Sequence, residues 1–199
     1  MSLQLIGLTL GTSFAAGLNL YATVATLGLL ERFGVVSLPP ALAVLANPFV
    51  IGVALFLYAI EFFADKIPYV DTAWDTLHTF IRPPAAAVLA YAAVAGVPEP
   101  WRVVAALIAG GVALTSHGTK TTTRAAVNTS PEPISNWILS VVEDGVAIAL
   151  TWLAVAHPIL TLGIVTALLV LSIWILVKVL RYFRRLFRST AARKRQTVP

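Results

Sequence analysis

Residues 159–178 read ILTLGIVTALLVLSIWILVK, nineteen positions without a charge followed by Lys178. A helix needs roughly 20 predominantly apolar residues to cross the hydrocarbon core of a bilayer. The stretch after it is of opposite character. Eight of the fourteen basic residues fall between Lys178 and Arg195, namely Lys178, Arg181, Arg184, Arg185, Arg188, Arg193, Lys194 and Arg195. A Lys/Arg-rich segment that follows a hydrophobic helix marks the cytoplasmic face and attracts anionic lipid headgroups, at about 1 kcal/mol per charge. The chain therefore divides into a transmembrane helical domain over residues 1–180 and a basic cytoplasmic tail over 181–199, expected to be disordered.

Composition extends this reading to the whole chain. Of its 199 residues 58% are hydrophobic and only 12% charged, where a soluble domain carries roughly a quarter charged residues. Removing the eight terminal cations leaves six basic residues against nine acids, so the body is mildly acidic and no nucleic-acid partner is expected. Cysteine is absent, which excludes disulfides, thiolate metal sites and catalytic thiols. The start, Met1-Ser2-Leu3-Gln4, lacks the positive region of a signal peptide, and its apolar stretch is read as a retained span.

Helix signals divide the body into about six transmembrane segments, an all-α integral membrane bundle with Pro-interrupted polar helix ends. The first runs from about Leu3 to Leu30 and closes at Glu31-Arg32-Phe33-Gly34. Pro39-Pro40 breaks the chain. Asn47-Pro48 then starts the second segment, Asn as cap and Pro as first helical residue, and Pro68 stops it after Lys66. Asp71 caps the third, which continues through Pro83-Pro84 to Ala95. The fourth opens at Trp101 and ends in the polar run Ser116–Asn128. After Pro131 and Pro133 the fifth is capped by Ser135 or Asn136 and reaches Ala156, and the sixth begins at Ile159. A re-entrant third segment would put the N-terminus outside; six spans, the favoured reading, put both termini in the cytoplasm. Lys66, Arg82, Lys120 and Arg124 then lie inside and Arg32 and Arg102 outside, in keeping with the positive-inside bias. Segments two–three and four–five are candidates for two repeated hairpins, a parallel repeat.

Ionisable residues inside such a body are costly, roughly 2.5–3.5 kcal/mol at a helix centre, and are functional candidates by default. Glu61 and Asp65, four apart, share a helix face; Glu61 is either paired with Lys66, Lys120 or Arg82 or part of an ion or proton site. Asp71, Asp75, His78 and Arg82 form one stripe at i, i+4, i+7 and i+11, with Trp74, Leu77, Phe80 and Ile81 on the other faces. This helix lies at the interface or enters the bundle, and Asp75 with His78 is a weak metal-ligand candidate lacking any diagnostic spacing. His117, Lys120 and Arg124 share a face; they snorkel to the headgroups or bind an anion. Gly118-Thr119-Lys120-Thr121 is not a phosphate-binding loop, because the preceding glycine is missing. Glu143 and Asp144 are adjacent, so at least one is expected to point inward, with Lys120 as a partner for Glu143. Gly7-x-x-x-Gly11 suits close helix approach. Asn19, mid-membrane, needs a partner.

Four stretches also carry a resemblance: GLNLYATVATLGLLERFG from Gly17, ADKIPYVDTAWDTLHTFIRP from Ala64, HGTKTTTRAAVNTSPEPISNW from His117, and VVEDG from Val141. Together they resemble the small bacterial membrane proteins catalogued as domain of unknown function 4126, over about residues 5–180. The resemblance implies a polytopic inner-membrane protein and carries over no catalytic residue. The residues favour a small transporter or channel for an ion or small solute, built around a cytoplasm-facing polar cavity. The alternative is a non-transporting protein, a lipid-headgroup binder or assembly factor whose polar residues are structural. An intramembrane enzyme lacks any recognisable nucleophile–base set. No cofactor motif is present, and self-association as a homo-oligomer is left open.

Overall fold

The computed structural model describes residues 2–67, 69–128 and 133–196, and these form helices and connecting turns with no strand. Seven α-helices follow in order: α1 Leu3–Leu18, α2 Leu20–Arg32, α3 Pro48–Ala64, α4 Val70–Ala93, α5 Glu99–Val127, α6 Pro133–Ala156 and α7 Pro158–Gln196, with a short 3-10 helix Pro40–Ala46 before α3. The polarity of the packing is inverted relative to a soluble protein. Among the described residues Arg82, Arg124 and Lys120 are the largest fully buried side chains, while Phe49 is 79% and Phe80 76% exposed. Lipid is the solvent that rewards this arrangement, since buried charges can pair with each other and outward phenylalanines meet acyl chains.

By length and composition α6 over Ile134–Ala156 and α7 over Pro158–Tyr182 are apolar enough to cross a membrane. The 3-10 helix and α3 qualify together as a third, bent by 67°. The bend falls where the sequence places a helix start: the Asn47 side chain accepts from the Phe49 N–H at 2.8 Å and Pro48 is the first residue of α3. Six spans are not what the helices themselves display. α4 and α5 have the length, but their average polarity includes a stripe of ionisable residues turned into the protein.

The first segment departs most from expectation. It is two helices, broken at Asn19, whose backbone is extended (φ −150, ψ 103) and whose side-chain oxygen accepts from the Ala22 N–H at 2.9 Å. Asparagine is a strong N-cap, and here it caps α2. Successive turns of α1 meet successive turns of α7: Gly7 lies against Pro158, Gly11 against Thr161, and Phe14 in one apolar cluster with Val165. These two helices run parallel. α2 runs the other way, with Tyr21 beside His78 and Leu27 clustered with Ala93 at the far end of α4. Along α6, Asn19 meets Asp144 and Thr23 meets Thr151, and Leu8 and Leu27 rejoin in one cluster. α1 and α2 are thus the arms of a hairpin whose tip is Asn19. The start of α1 and the basic end of α7 consequently lie at opposite ends of the bundle.

Smaller corrections follow from local geometry. The residue before α4 is Tyr69, in the left-handed region at φ 72, and Asp71 sits inside the first turn rather than capping it. α6 already begins at Pro133, so Ser135 and Asn136 are helical. The helix α7 continues through the basic stretch to Gln196 instead of giving way to a disordered tail. Pro68, Pro131 and Glu132 lie outside the described residues, as do the side chains of Arg184, Arg185, Arg188, Arg193, Lys194 and Arg195.

The hairpin's seat on its neighbours depends on glycine. A Cβ on Gly17 would collide with Ser116 Oγ and the Ala113 carbonyl oxygen of α5, whereas one on Gly52 would meet open space. Gly17→Ala is therefore expected to cost about 1–3 kcal/mol, the usual range for overpacking, read as a lowered melting temperature in detergent. Gly52→Ala should leave it unchanged or raised. Equal behaviour of the two variants would show that the approach of α1 to α5 is looser than described.

Candidate functional site

Breaking a helix in mid-bundle exposes carbonyl groups that need donors. The last carbonyls of α1, those of Gly17 and Leu18, both accept from Arg82 Nη1 at 2.8 Å, and Leu18 O accepts also from Lys120 Nζ at 3.1 Å. The tip is held on its other side by α6, where the Asn19 amide donates to Asp144 Oδ1 at 2.8 Å. The partner that a mid-membrane asparagine requires is therefore Asp144. Arg82 reaches the tip because the predicted stripe of α4 faces inward along its whole length: Asp71, Asp75, His78, Arg82, Ala86, Ala90 and Ala93 are all buried.

Around these cations the four helices α3–α6 converge in one ionic network. Arg82 donates to Glu61 Oε1 at 2.6 Å. Lys120 donates to the same oxygen at 3.3 Å and to Asp65 Oδ2 at 3.0 Å. Arg124 donates to Asp65 Oδ2 at 2.8 Å and, through Nε and Nη2, to Glu143 Oε2 at 2.8 and 2.6 Å. Lys120 is the hub, with Asp75 and Glu143 a further 3.9 and 4.0 Å away. Of the partners considered for Glu61, the structure selects Arg82 and Lys120. The expected Glu143–Lys120 contact is the long one, and Arg124 is the close partner. His117, Lys120 and Arg124 do not snorkel; each is no more than 2% exposed. They can be buried because α5 turns Lys120 and Arg124 toward carboxylates on α3 and α6, and His117 toward Arg82 and the Asp75 carbonyl of α4. Both members of the Glu143-Asp144 pair point inward, to Arg124 and to Asn19 respectively.

The histidines are wired by hydrogen bonds that identify their tautomers. His117 Nδ1 lies 3.0 Å from Arg82 Nη1, which can only donate, so the ring proton is on Nε2 and goes to the Asp75 carbonyl at 3.0 Å. His78 Nδ1 donates to the Trp74 carbonyl at 2.8 Å and Nε2 accepts from the Tyr21 hydroxyl at 3.0 Å. Both nitrogens of His78 are thus engaged within the protein, and among the described residues no group of three His, Cys, Asp or Glu is placed to hold a metal ion. Two candidates stand apart from the network. Asp71 accepts from the Asn128 amide at 2.6 Å. Lys66, in the turn after α3, donates to the Phe62 carbonyl at 2.9 Å and sits over the Phe62 ring. Burial there lowers its pKa from the ordinary lysine value, against the pull of Asp144 and Asp65.

The network is not sealed everywhere. Between α4 and α5 a crevice of about 380 Å³ is lined by Asp71, Thr72, Asp75, Thr76, Thr79 and Arg124, among others. Sequence reasoning missed its hydroxyl wall; the spacing of Thr72, Thr76 and Thr79 along the same helix as the acidic stripe was the available signal. The carbonyls of Gly17 and Leu18 left no side-chain signal at all.

A buried pair broken on one side leaves an uncompensated charge, at a cost of about 3–5 kcal/mol. Arg82→Met should lower stability by that order, and Arg82→Met with Glu61→Gln should recover part of it. The recovery stays incomplete because Gly17 O and Leu18 O still lose their donor. Melting temperatures of the two single variants and the double variant measure the coupling; strict additivity would mean that Glu61 and Arg82 do not interact.

Neither the curated proteins nor the solved structures contain a significant match to this chain. The family model described as a domain of unknown function, DUF4126, matches residues 6–178, and the chain belongs to that family.

Proposed function

We propose that this protein is a small multi-pass transporter or channel of the bacterial inner membrane, passing an ion or small solute through the region where the α1–α2 tip meets the ionic network. The observation that carries the reading is the broken helix at Asn19, whose last carbonyls, released from the helix, meet charged partners buried inside the bundle. Non-helical backbone at membrane depth is tolerated only within protein or beside a cavity, and in transporters interrupted helices form the binding site. The crevice reaching Asp75 and Arg124 supplies access from one end.

In this reading α3 to α7 cross the bilayer and the α1–α2 hairpin re-enters from one face, five crossings in place of six. The α3–α4 turn, the crevice and the basic end of α7 share one end of the bundle, and the positive-inside bias assigns it to the cytoplasm. The start of α1 then lies outside, opposite to the six-span arrangement. The absence of cysteine makes this easy to check by single-cysteine labelling in oriented vesicles. Gln4→Cys should react with an impermeant maleimide from the outer side and Tyr182→Cys from the inner side only. Labelling of both from the same side would restore the six-span topology.

One observation favours the second reading, a non-transporting protein: Glu61, Arg82 and Lys120 are tightly paired and buried. Reconstituted vesicles separate the two. Flux measured across a panel of protons, monovalent cations and anions should be present for wild type and fall at least about tenfold, the equivalent of 1.4 kcal/mol, in Glu61→Gln. Absence of flux for every ion would leave the structural reading.

A further inference from the structure

Four carboxylates and three cations meet within ion-pair distance in the network: Glu61, Asp65, Asp75 and Glu143 against Arg82, Lys120 and Arg124. Three of the four carboxylates receive charge-assisted hydrogen bonds of 2.6–3.3 Å from those cations. Asp75 receives none. Its nearest cationic nitrogens are Arg82 Nη2 at 3.8 Å and Lys120 Nζ at 3.9 Å, and its Oδ1 is buried without a hydrogen-bond partner. A buried carboxylate oxygen that accepts no hydrogen bond is expensive, and neutralisation relieves the cost. Within these four, the surplus negative charge falls on Asp75, while Asp144 nearby is held by the Asn19 amide and the Tyr58 hydroxyl.

Asp75 is also the member of the four that lines the crevice between α4 and α5. The hydroxyls around it have already given their protons to their own helices: Thr76 to the Thr72 carbonyl at 2.7 Å, Thr79 to the Asp75 carbonyl at 3.0 Å, and Thr121 to the Gly118 carbonyl at 3.0 Å. Thr79 Oγ1 also faces the His117 Nε2 proton at 3.0 Å, so it is Thr76 and Thr121 that present lone pairs to the crevice. Arg124, the cation on the same wall, turns its fork to Asp65 and Glu143. A wall of acceptors around a carboxylate that no cation hydrogen-bonds suits a ligand that only donates. A metal cation would sit against Arg82 and Lys120, whose charges lie within 4 Å of the same carboxylate; a proton adds no bulk and removes the surplus charge.

We propose that Asp75 is the proton-binding carboxylate of this protein, exchanging its proton with the aqueous phase through the crevice, so that the flux proposed above is proton-linked. This rests on the transport reading for its purpose but not for its chemistry. The groups around Asp75 are Asp71, His78 and Arg82 on its own helix; His117, Lys120 and Arg124 on α5; Glu61 and Asp65 from α3; Glu143 from α6; and Tyr21 of α2 behind His78. α1 and the 3-10 helix contribute no titratable side chain. When Asp75 gives up its proton, its charge competes for Lys120, which α3 and α6 also hold. Gain or loss of one proton thereby changes how four helices share one cation.

Infrared difference spectroscopy of the full-length protein, taken between mildly alkaline and mildly acidic pH, reads the protonated carboxyl directly. Wild type is expected to show a carboxylic-acid carbonyl band that grows on acidification. The band should be lost in Asp75→Asn, displaced in frequency but present in Asp75→Glu, and unchanged in Asp71→Asn, whose carboxylate is outside the network. A band that persists unaltered in both Asp75 variants, or no band at all, overturns the assignment. So does a spectrum that responds to sodium and not to pH, since the ligand would then be a metal cation. Should Asp75→Asn fail to fold, Asp75→Glu carries the test alone. Flux without the band removes this inference and leaves transport standing; the band without flux does the reverse.

Discussion

The constraint on which this architecture depends is that Lys120 and its two arginine neighbours must be neutralised inside a body that lipid surrounds. An unpaired ammonium or guanidinium there would cost several kcal/mol, so carboxylates have to arrive from whichever helices pass nearby. α3 sends Glu61 and Asp65, α4 sends Asp75, α6 sends Glu143. The convergence sets the rotation of each helix about its own axis, because all of these side chains must point to one place. It also accounts for the break at Asn19. A continuous helix would have spent the Gly17 and Leu18 carbonyls internally, and Arg82 and Lys120 would have lost three hydrogen bonds to these two acceptors.

Helix pairs in lipid gain nothing from apolar burial relative to lipid contact, so close packing and polar bonds have to do the joining. Both are visible here, in separate regions. At the end where α6 turns into α7, Gly7 and Gly11 let α1 approach to the distance at which a methyl group would already collide. At the other end the joining is ionic. The hairpin tip lies at the boundary between the two, and it is bound by hydrogen bonds to α4, α5 and α6 at once.

What the sequence made legible was periodic. The 3.6-residue repeat placed Asp71, Asp75, His78 and Arg82 on one stripe, and the structure turns that stripe inward. The same counting grouped His117, Lys120 and Arg124, and Asn47-Pro48 announced a helix start that is present as read. What stayed hidden was direction. Hydropathy cannot tell a straight span of about 28 residues from two shorter helices folded against each other, and the residue that decides it, Asn19, carried only the message that it needed a partner. Snorkelling was the wrong expectation for Lys120 and Arg124 for a related reason: it supposes that the nearest favourable surroundings for a cation are the headgroups, whereas carboxylates from α3 and α6 were closer.

Buried ion pairs alone are weak evidence for function, since apolar residues of similar volume often hold a fold equally well. In this bundle a structural purpose is nevertheless physically sufficient for most of the network: three cations, three hydrogen-bonded carboxylates and the backbone carbonyls of Gly17, Leu18 and Asp65 hold α1, α3, α5 and α6 to one another, with α4 supplying Arg82. That purpose has no use for a fourth carboxylate. Asp75 receives no hydrogen bond from the cations, adds a charge that the set does not need, and stands where the network meets the crevice. A scaffold would be better served there by an alanine. The surplus acid is the feature that a purely structural account leaves over, and it directs the proposed proton exchange to the α4–α5 side of the network and not to its centre.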